Sequence, residues 1–160
     1  MCYLNCGNLA GSCPTMPIDG QTVRLEICSV IEVLDSVEAV ADQIGRTIGF
    51  DEETRHWVGM AVRESVINAI KHGNQYDPQK LVSIEFTSSP AVTPTELIVC
   101  VRDQGKGFDP ETVADPLAPE NVLKSSGRGI LFMRSFMDEV SLEHGCGGGM
   151  EVRMVKRISR

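Results

Sequence analysis

The chain has 160 residues, 42% of them hydrophobic, a size that supports one globular domain with one sizeable core. A formal net charge of −7 and a pI near 4.9 exclude a general phosphate-backbone binder, so no direct nucleic-acid partner is expected and any phosphate site must be local. No apolar run approaches the ~18 residues of a membrane span, and Met1–Cys6 lacks the basic and apolar regions of a secretory signal. No membrane association and a cytoplasmic location are the corresponding expectations.

Residues 1–20 mix Gly7, Gly11, Pro14, Pro17 and Gly20 with small polar residues, the composition of a disordered or loosely ordered tail. Cys2, Cys6 and Cys13 match no paired zinc spacing and read as reducible thiols of that tail. His56, His72 and His144 are scattered, so no transition-metal site is expected. The domain then runs over 21–160. Thr22–Cys28 alternates as a half-buried strand, and Cys28 and Cys100 fall in apolar runs expected to be core. Val33, Leu34, Val37, Val40, Ala41, Ile44 and Ile48 keep a helical period that Gly49 stops.

Asp51-Glu-Glu-Thr opens a second helix with acids where the macrodipole favours them. It runs to His72, with Gly73 expected to end it as a left-handed cap. At about 100° per residue, Val58, Val62, Val66, Ala69 and Ile70 share one arc, and Trp57, Ala61, Glu64, Ser65, Asn68 and His72 the other. Glu64 and Asn68 are therefore neighbours one turn apart. A carboxylate beside a carboxamide offers a proton acceptor next to an oxygen ligand for a hard cation such as Mg²⁺. Taken alone, the pair fits a solvated helix face equally well.

A turn over residues 74–78 leads to a strand at Leu81–Thr87, a proline turn, and Thr95–Arg102, the most continuous apolar strand and so the expected centre of the sheet. It runs into Asp103-Gln-Gly105-Lys-Gly107, where glycines permit a sharp turn and close approach of a ligand. Residues 109–124, with Pro110, Pro116 and Pro119, read as a lid-like loop. Ser125-Ser126-Gly127-Arg128-Gly129 opens a helix whose inward face includes Ile130, Met133, Phe136 and Met137, and a glycine-rich helix N-terminus presents free N–H groups to an anion. Lys124 and Arg128 add positive charge there. Glu139–His144 and Met150–Val155 read as a hairpin across a glycine-rich turn, and Arg153, Lys156, Arg157 and Arg160 as a solvated basic end.

Each glycine motif is weak singly, but their order after Glu64-x₃-Asn68 resembles the GHKL ATPase superfamily over about residues 21–157. The run Glu64–Gly73 and the stretch Gly129–Asp138 resemble, more narrowly, the bacterial anti-sigma-factor serine/threonine kinases. The resemblance implies an α/β (α+β) two-layer sandwich, a mixed, mostly antiparallel sheet with helices on one face, binding ATP and Mg²⁺. It assigns Glu64 as general base, Asn68 as Mg²⁺ ligand, and Asp103, Gly105 and Gly107 to the adenine pocket. Lys124, Ser126, Gly127, Arg128, Gly129 and His72 complete the nucleotide-binding set that it implies. The implied function is a protein serine/threonine kinase that binds a sigma factor and phosphorylates an anti-sigma-factor antagonist; homodimerisation is implied by the resemblance alone. One position departs: where some members carry arginine two residues before the second glycine box, this chain has Ser125. The alternative is a non-catalytic ATP-binding module that sequesters a regulatory partner.

Overall fold

The structure, a computed structural model, describes residues 20–107, 125–145 and 148–158. Five strands form one sheet in the order β1-β2-β3-β5-β4: β1 (Gln21–Cys28), β2 (Leu81–Ser89), β3 (Glu96–Arg102), β4 (Glu139–His144) and β5 (Met150–Arg157). Helices α1 (Leu34–Ile48) and α2 (Glu52–Asn68) connect β1 to β2, and α3 (Ser125–Phe136) precedes β4.

β3 occupies the middle of the sheet, as its apolar run predicts. Every described pairing is antiparallel, from Leu25↔Ile84 through Ile84↔Val101 and Val101↔Val152 to Leu142↔Val152, in keeping with the mostly antiparallel sheet expected. The insertion of two helices between β1 and β2 explains how neighbouring strands reach that arrangement without a tight hairpin. Alternation in β2, β3 and β5 sends Val82, Ile84, Phe86, Leu97, Val99, Val101, Val152 and Met154 to one face, where they pack with Leu34 and Val37 of α1, Val58, Val62 and Val66 of α2 and Met133 of α3. The opposite face carries ion pairs, among them Arg24–Glu85 and Arg102–Glu85. The result is a helix layer on a sheet layer.

Local chemistry accounts for the helix limits. Gly49 ends α1 at φ +95°, and the Asp51 side chain caps α2 by accepting from the Thr54 N–H at 2.7 Å. Three expectations are corrected. Cys28, expected in the core, is exposed, because it closes an edge strand on the face away from the helices; Cys100 is half-buried. Arg153, Lys156 and Arg157 are ion-paired rather than simply solvated, to Glu139, Asp138 and Glu96 at 3.3–4.0 Å. The second helix does not end at a left-handed Gly73: Ala69–Gly73 is a π-helical segment in which the Asn74 N–H donates to Ala69 O at 2.7 Å. Gln75 and Tyr76, at φ +56° and +59°, take the left-handed turn instead.

Candidate functional site

Two clusters, both built on α2 and its π-helical extension, gather most of the described sequence candidates. The first lies where α2 meets α3. The arc that reads as polar in the sequence is not a solvated face: Ala61 and Ser65 are fully buried, Glu64 and Asn68 half-buried, and α3 packs on them. A Cβ added to Gly129 would stand 2.6 Å from Glu64 Oε1 and 3.1 Å from Asn68 Nδ2. Any side chain at 129 would fill this space, so glycine brings the backbone of α3 directly over the carboxylate and the carboxamide.

The second glycine box opens a helix, as its sequence leads one to expect. α3 already begins at Ser125, so Gly127 and Gly129 lie within its first turns rather than in a loop before it. The N–H groups of the first turn lack intrahelical acceptors and remain the donors an anion would meet. Lys124 and the lid over 109–124 lie outside the described residues, as do the side chains of Ser126 and Arg128.

The second cluster surrounds Asp103 at the end of β3. Its carboxylate is 8% exposed and accepts through Oδ1 from the N–H of Gly105 at 2.8 Å and of Met150 at 3.3 Å. Three glycines admit it: a Cβ on Gly73 would lie 2.2 Å from Asp103 Cγ, one on Gly105 2.3 Å from Gly73 O, and one on Gly149 2.1 Å from Asp103 O. Gly73 is therefore required by close approach to Asp103, not by helix termination. Gly107, at φ +71°, is backed by His144, whose Nδ1 would lie 2.6 Å from a Cβ there. His72, one residue before this contact, is exposed.

Sequence reasoning missed Asn74, the residue that ties this cluster to the sheet. Fully buried, it donates through Nδ2 to Ser29 Oγ at 2.8 Å and to Leu81 O at 3.0 Å, and accepts at Oδ1 from the Gln104 N–H at 2.7 Å. One amide thus joins the ends of β1, β2 and β3 to the π-helical segment, a segment type frequent at functional sites. Its sequence signal, an asparagine after a glycine, is that of an ordinary turn. Also missed is Ser65, beside Glu64, whose hydroxyl is buried with no hydrogen-bond partner.

Asn68 and Gly73 are five residues apart on one continuous helical segment, so the two clusters sit about 7 Å apart along its axis. A buried carboxylate at one end and a carboxylate–carboxamide pair under the start of α3 at the other thus share one helical segment. Helices on one face of an antiparallel sheet, with these two clusters on one helical segment, match the arrangement that the sequence leads one to expect of a module of the ATPase class. Comparison with known proteins agrees. The profile described as histidine kinase-like ATPase domain matches residues 29–156, and the chain belongs to that family.

Within it, the chain is similar to anti-sigma F factors. That of Geobacillus kaustophilus (strain HTA426) is 36% identical over 129 residues, covering 78% of this chain and 82% of the relative. That of Bacillus subtilis (strain 168) is 35% identical over 103 residues, covering 62% and 66%. Among solved structures, the RsbU and RsbW domains of Rv1364c from Mycobacterium tuberculosis share the fold at a TM-score of 0.60 and 20% identity. The match covers 88% of this chain and 33% of that one.

Proposed function

We propose that this protein is an ATP-dependent serine/threonine kinase acting as an anti-sigma factor, which binds a sigma factor and phosphorylates an anti-sigma-factor antagonist. The observation that carries the reading is the packing of Gly129 on Glu64 and Asn68, so close that an added Cβ would stand 2.6 Å and 3.1 Å from them, which brings the start of α3 over a candidate base and a candidate metal ligand. The similarity to anti-sigma F factors supplies the partner class.

The donor set fits ATP and Mg²⁺. Among the described residues no group of three or more His, Cys, Asp or Glu could hold a metal by itself. Asn68 offers a single neutral oxygen, which suits a cation that keeps its waters and shares phosphate oxygens. Bound Mg²⁺ would supply charge neutralisation at the transferring phosphoryl group. The protein's own part is positioning. Asp103 accepts from the adenine amino group, Gly105 and Gly107 keep the pocket wall at backbone width, and the first turn of α3 donates to phosphate oxygens. Glu64 takes the proton of the substrate hydroxyl, a role typically worth ~10²–10⁴-fold in rate. No described helix is long and apolar enough to cross a membrane, and the setting for such a partner switch is the cytoplasm.

The test is incubation with labelled ATP and Mg²⁺ and the candidate antagonists of the same genome, run beside Glu64→Gln. The expected result is label on a serine or threonine of one antagonist, lost in the variant although ATP still binds. Tight ATP binding with no label on any candidate would favour the sequestering module and direct attention to Ser125. Full transfer by Glu64→Gln would remove Glu64 from the role of base.

A further inference from the structure

The chain has one tryptophan, and it sits in a cluster that the proposed chemistry does not use. Trp57 stacks on Phe136 with ring centroids 4.0 Å apart and planes 6° apart. Phe132 meets Trp57 edge-on at 6.3 Å and tilts against Phe136 at 4.6 Å, and His56 meets the other side of Trp57 edge-on at 4.9 Å. Trp57 lies seven residues before Glu64 on α2, and Phe136 seven residues after Gly129 on α3, about two helical turns in each case. The two helices therefore run antiparallel along one seam, with Trp57 on Phe136 at one end and Glu64 and Asn68 under Gly129 at the other.

Two packed helices slide along one another unless something interlocks. At the site end of this seam Gly129 has no side chain to resist sliding. Among the described residues the buried side chains of α3 and its exit are those of Met133 and Met137, unbranched and able to adapt to small shifts. The rigid interlock is the aromatic stack, two flat rings in close parallel contact with a third closing one edge. We propose that Trp57 is a positioning residue for the phosphate end of the nucleotide site: its stack on Phe136 sets the height of α3 along α2 and so holds the start of α3, at Gly129, over Glu64 and Asn68. The adenine end is independent of this device, since Asp103 is held by Gly73, Gly105, Gly149 and Met150 with no residue of α3 among its partners.

The inference rests on the nucleotide-binding reading, and the two ends of the ligand separate the claims. Affinities of the full chain for ATP with Mg²⁺ and for adenosine are measured by calorimetry, with thermal unfolding as a check on folding. Trp57→Ala is expected to weaken ATP binding about tenfold, the scale of one lost aromatic pair, while adenosine affinity stays within about twofold. Trp57→Phe, which keeps a stacking ring, restores ATP affinity. Phe136→Leu breaks the stack from the other side and gives the same split should Trp57→Ala fail to fold. In the parent, tryptophan emission responds to ATP and not to adenosine. Unchanged ATP affinity in both disruptive variants, or equal losses for ATP and adenosine, overturns the role of Trp57 while leaving nucleotide binding intact. A parent that binds neither ligand overturns both readings.

Discussion

Gly59 and Gly73 lie on the same helical segment, and replacing each by alanine is the same chemical change with opposite expected signs. At Gly59 a Cβ meets nothing within 4 Å, because the position opens on a polar groove between α1 and α2 lined by Glu38, Asp42, Arg46, Glu52, Arg55 and His56. Gly59→Ala therefore gains the helix propensity difference of about 1 kcal/mol. At Gly73 the new Cβ would stand 2.2 Å from Asp103 Cγ, 2.4 Å from Oδ2 and 2.7 Å from Cβ. The neighbour cannot yield cheaply: Asp103 is anchored through Oδ1 by two backbone N–H groups and through its own N–H, which donates to Met150 O at 3.1 Å. Overpacking of this kind costs about 1–3 kcal/mol, and a displaced buried carboxylate that loses its donors about 1–3 kcal/mol more. After the propensity gain the net loss is about 1–5 kcal/mol. For a chain of this length 1 kcal/mol moves Tm by about 2–4 °C, so Gly73→Ala should melt roughly 2–20 °C lower and Gly59→Ala roughly 2–4 °C higher. Circular dichroism melts of the two variants beside the parent decide it. A Gly73→Ala protein as stable as the parent would refute the view that close approach to Asp103 fixes this glycine, and a destabilised Gly59→Ala would show that the groove is not open.

The remaining expectations concern buried polar groups. Asn74→Ala removes three side-chain hydrogen bonds and strands Gln104 N–H, so denaturant unfolding should report a loss of about 2–4 kcal/mol. Ser65→Ala, one turn of logic away, deletes a buried hydroxyl that has no partner and should be neutral or stabilising by about 1 kcal/mol in the same measurement; a loss above that would reveal a hydrogen bond the hydroxyl makes in solution. Burial pushes the Cys100 thiol from 9.0 up to about 11, with the nearby Glu151 carboxylate adding to the effect. The folded thiol thus holds its proton more tightly than the unfolded one, so its contribution is intact below about pH 9 and is lost as pH rises towards 11. Cys100→Ser should flatten the alkaline loss of stability over that window. Brief alkylation of the native protein followed by peptide mapping should find Cys28, which is exposed, modified well before Cys100; the reverse order would contradict the placement of both thiols.

Signals carried within a few residues were readable in advance. Gly49 at the end of α1, Asp51 at the start of α2, the alternation of β2, β3 and β5 and the β4–β5 hairpin all depend on the preferences of the residues that form them. So did the placing of Glu64 and Asn68 on one face, since i,i+4 spacing is a property of the helix itself. Whether that face met water was not readable: the same arc would suit solvent, and only α3 folding onto it buries Ala61 and Ser65. Cys28 misled because an apolar-looking run does not reveal which side of an edge strand is covered.

The sequence by itself determined the elements, most of their limits, the central strand and the order of motifs that carries the family resemblance, because these follow from local propensity and periodicity. Only the tertiary structure decided what the glycines are for. Gly73, Gly105 and Gly149 crowd one aspartate from three separate segments, and Gly129 meets a helix more than sixty residues away in the chain. Asn74 likewise gains its meaning from Ser29, forty-five positions distant. A missing side chain has no sequence signal beyond its own letter. The atoms that forbid a Cβ arrive from elsewhere in the fold, and the lack of a side chain at those glycines is what lets the segments of each cluster approach one another.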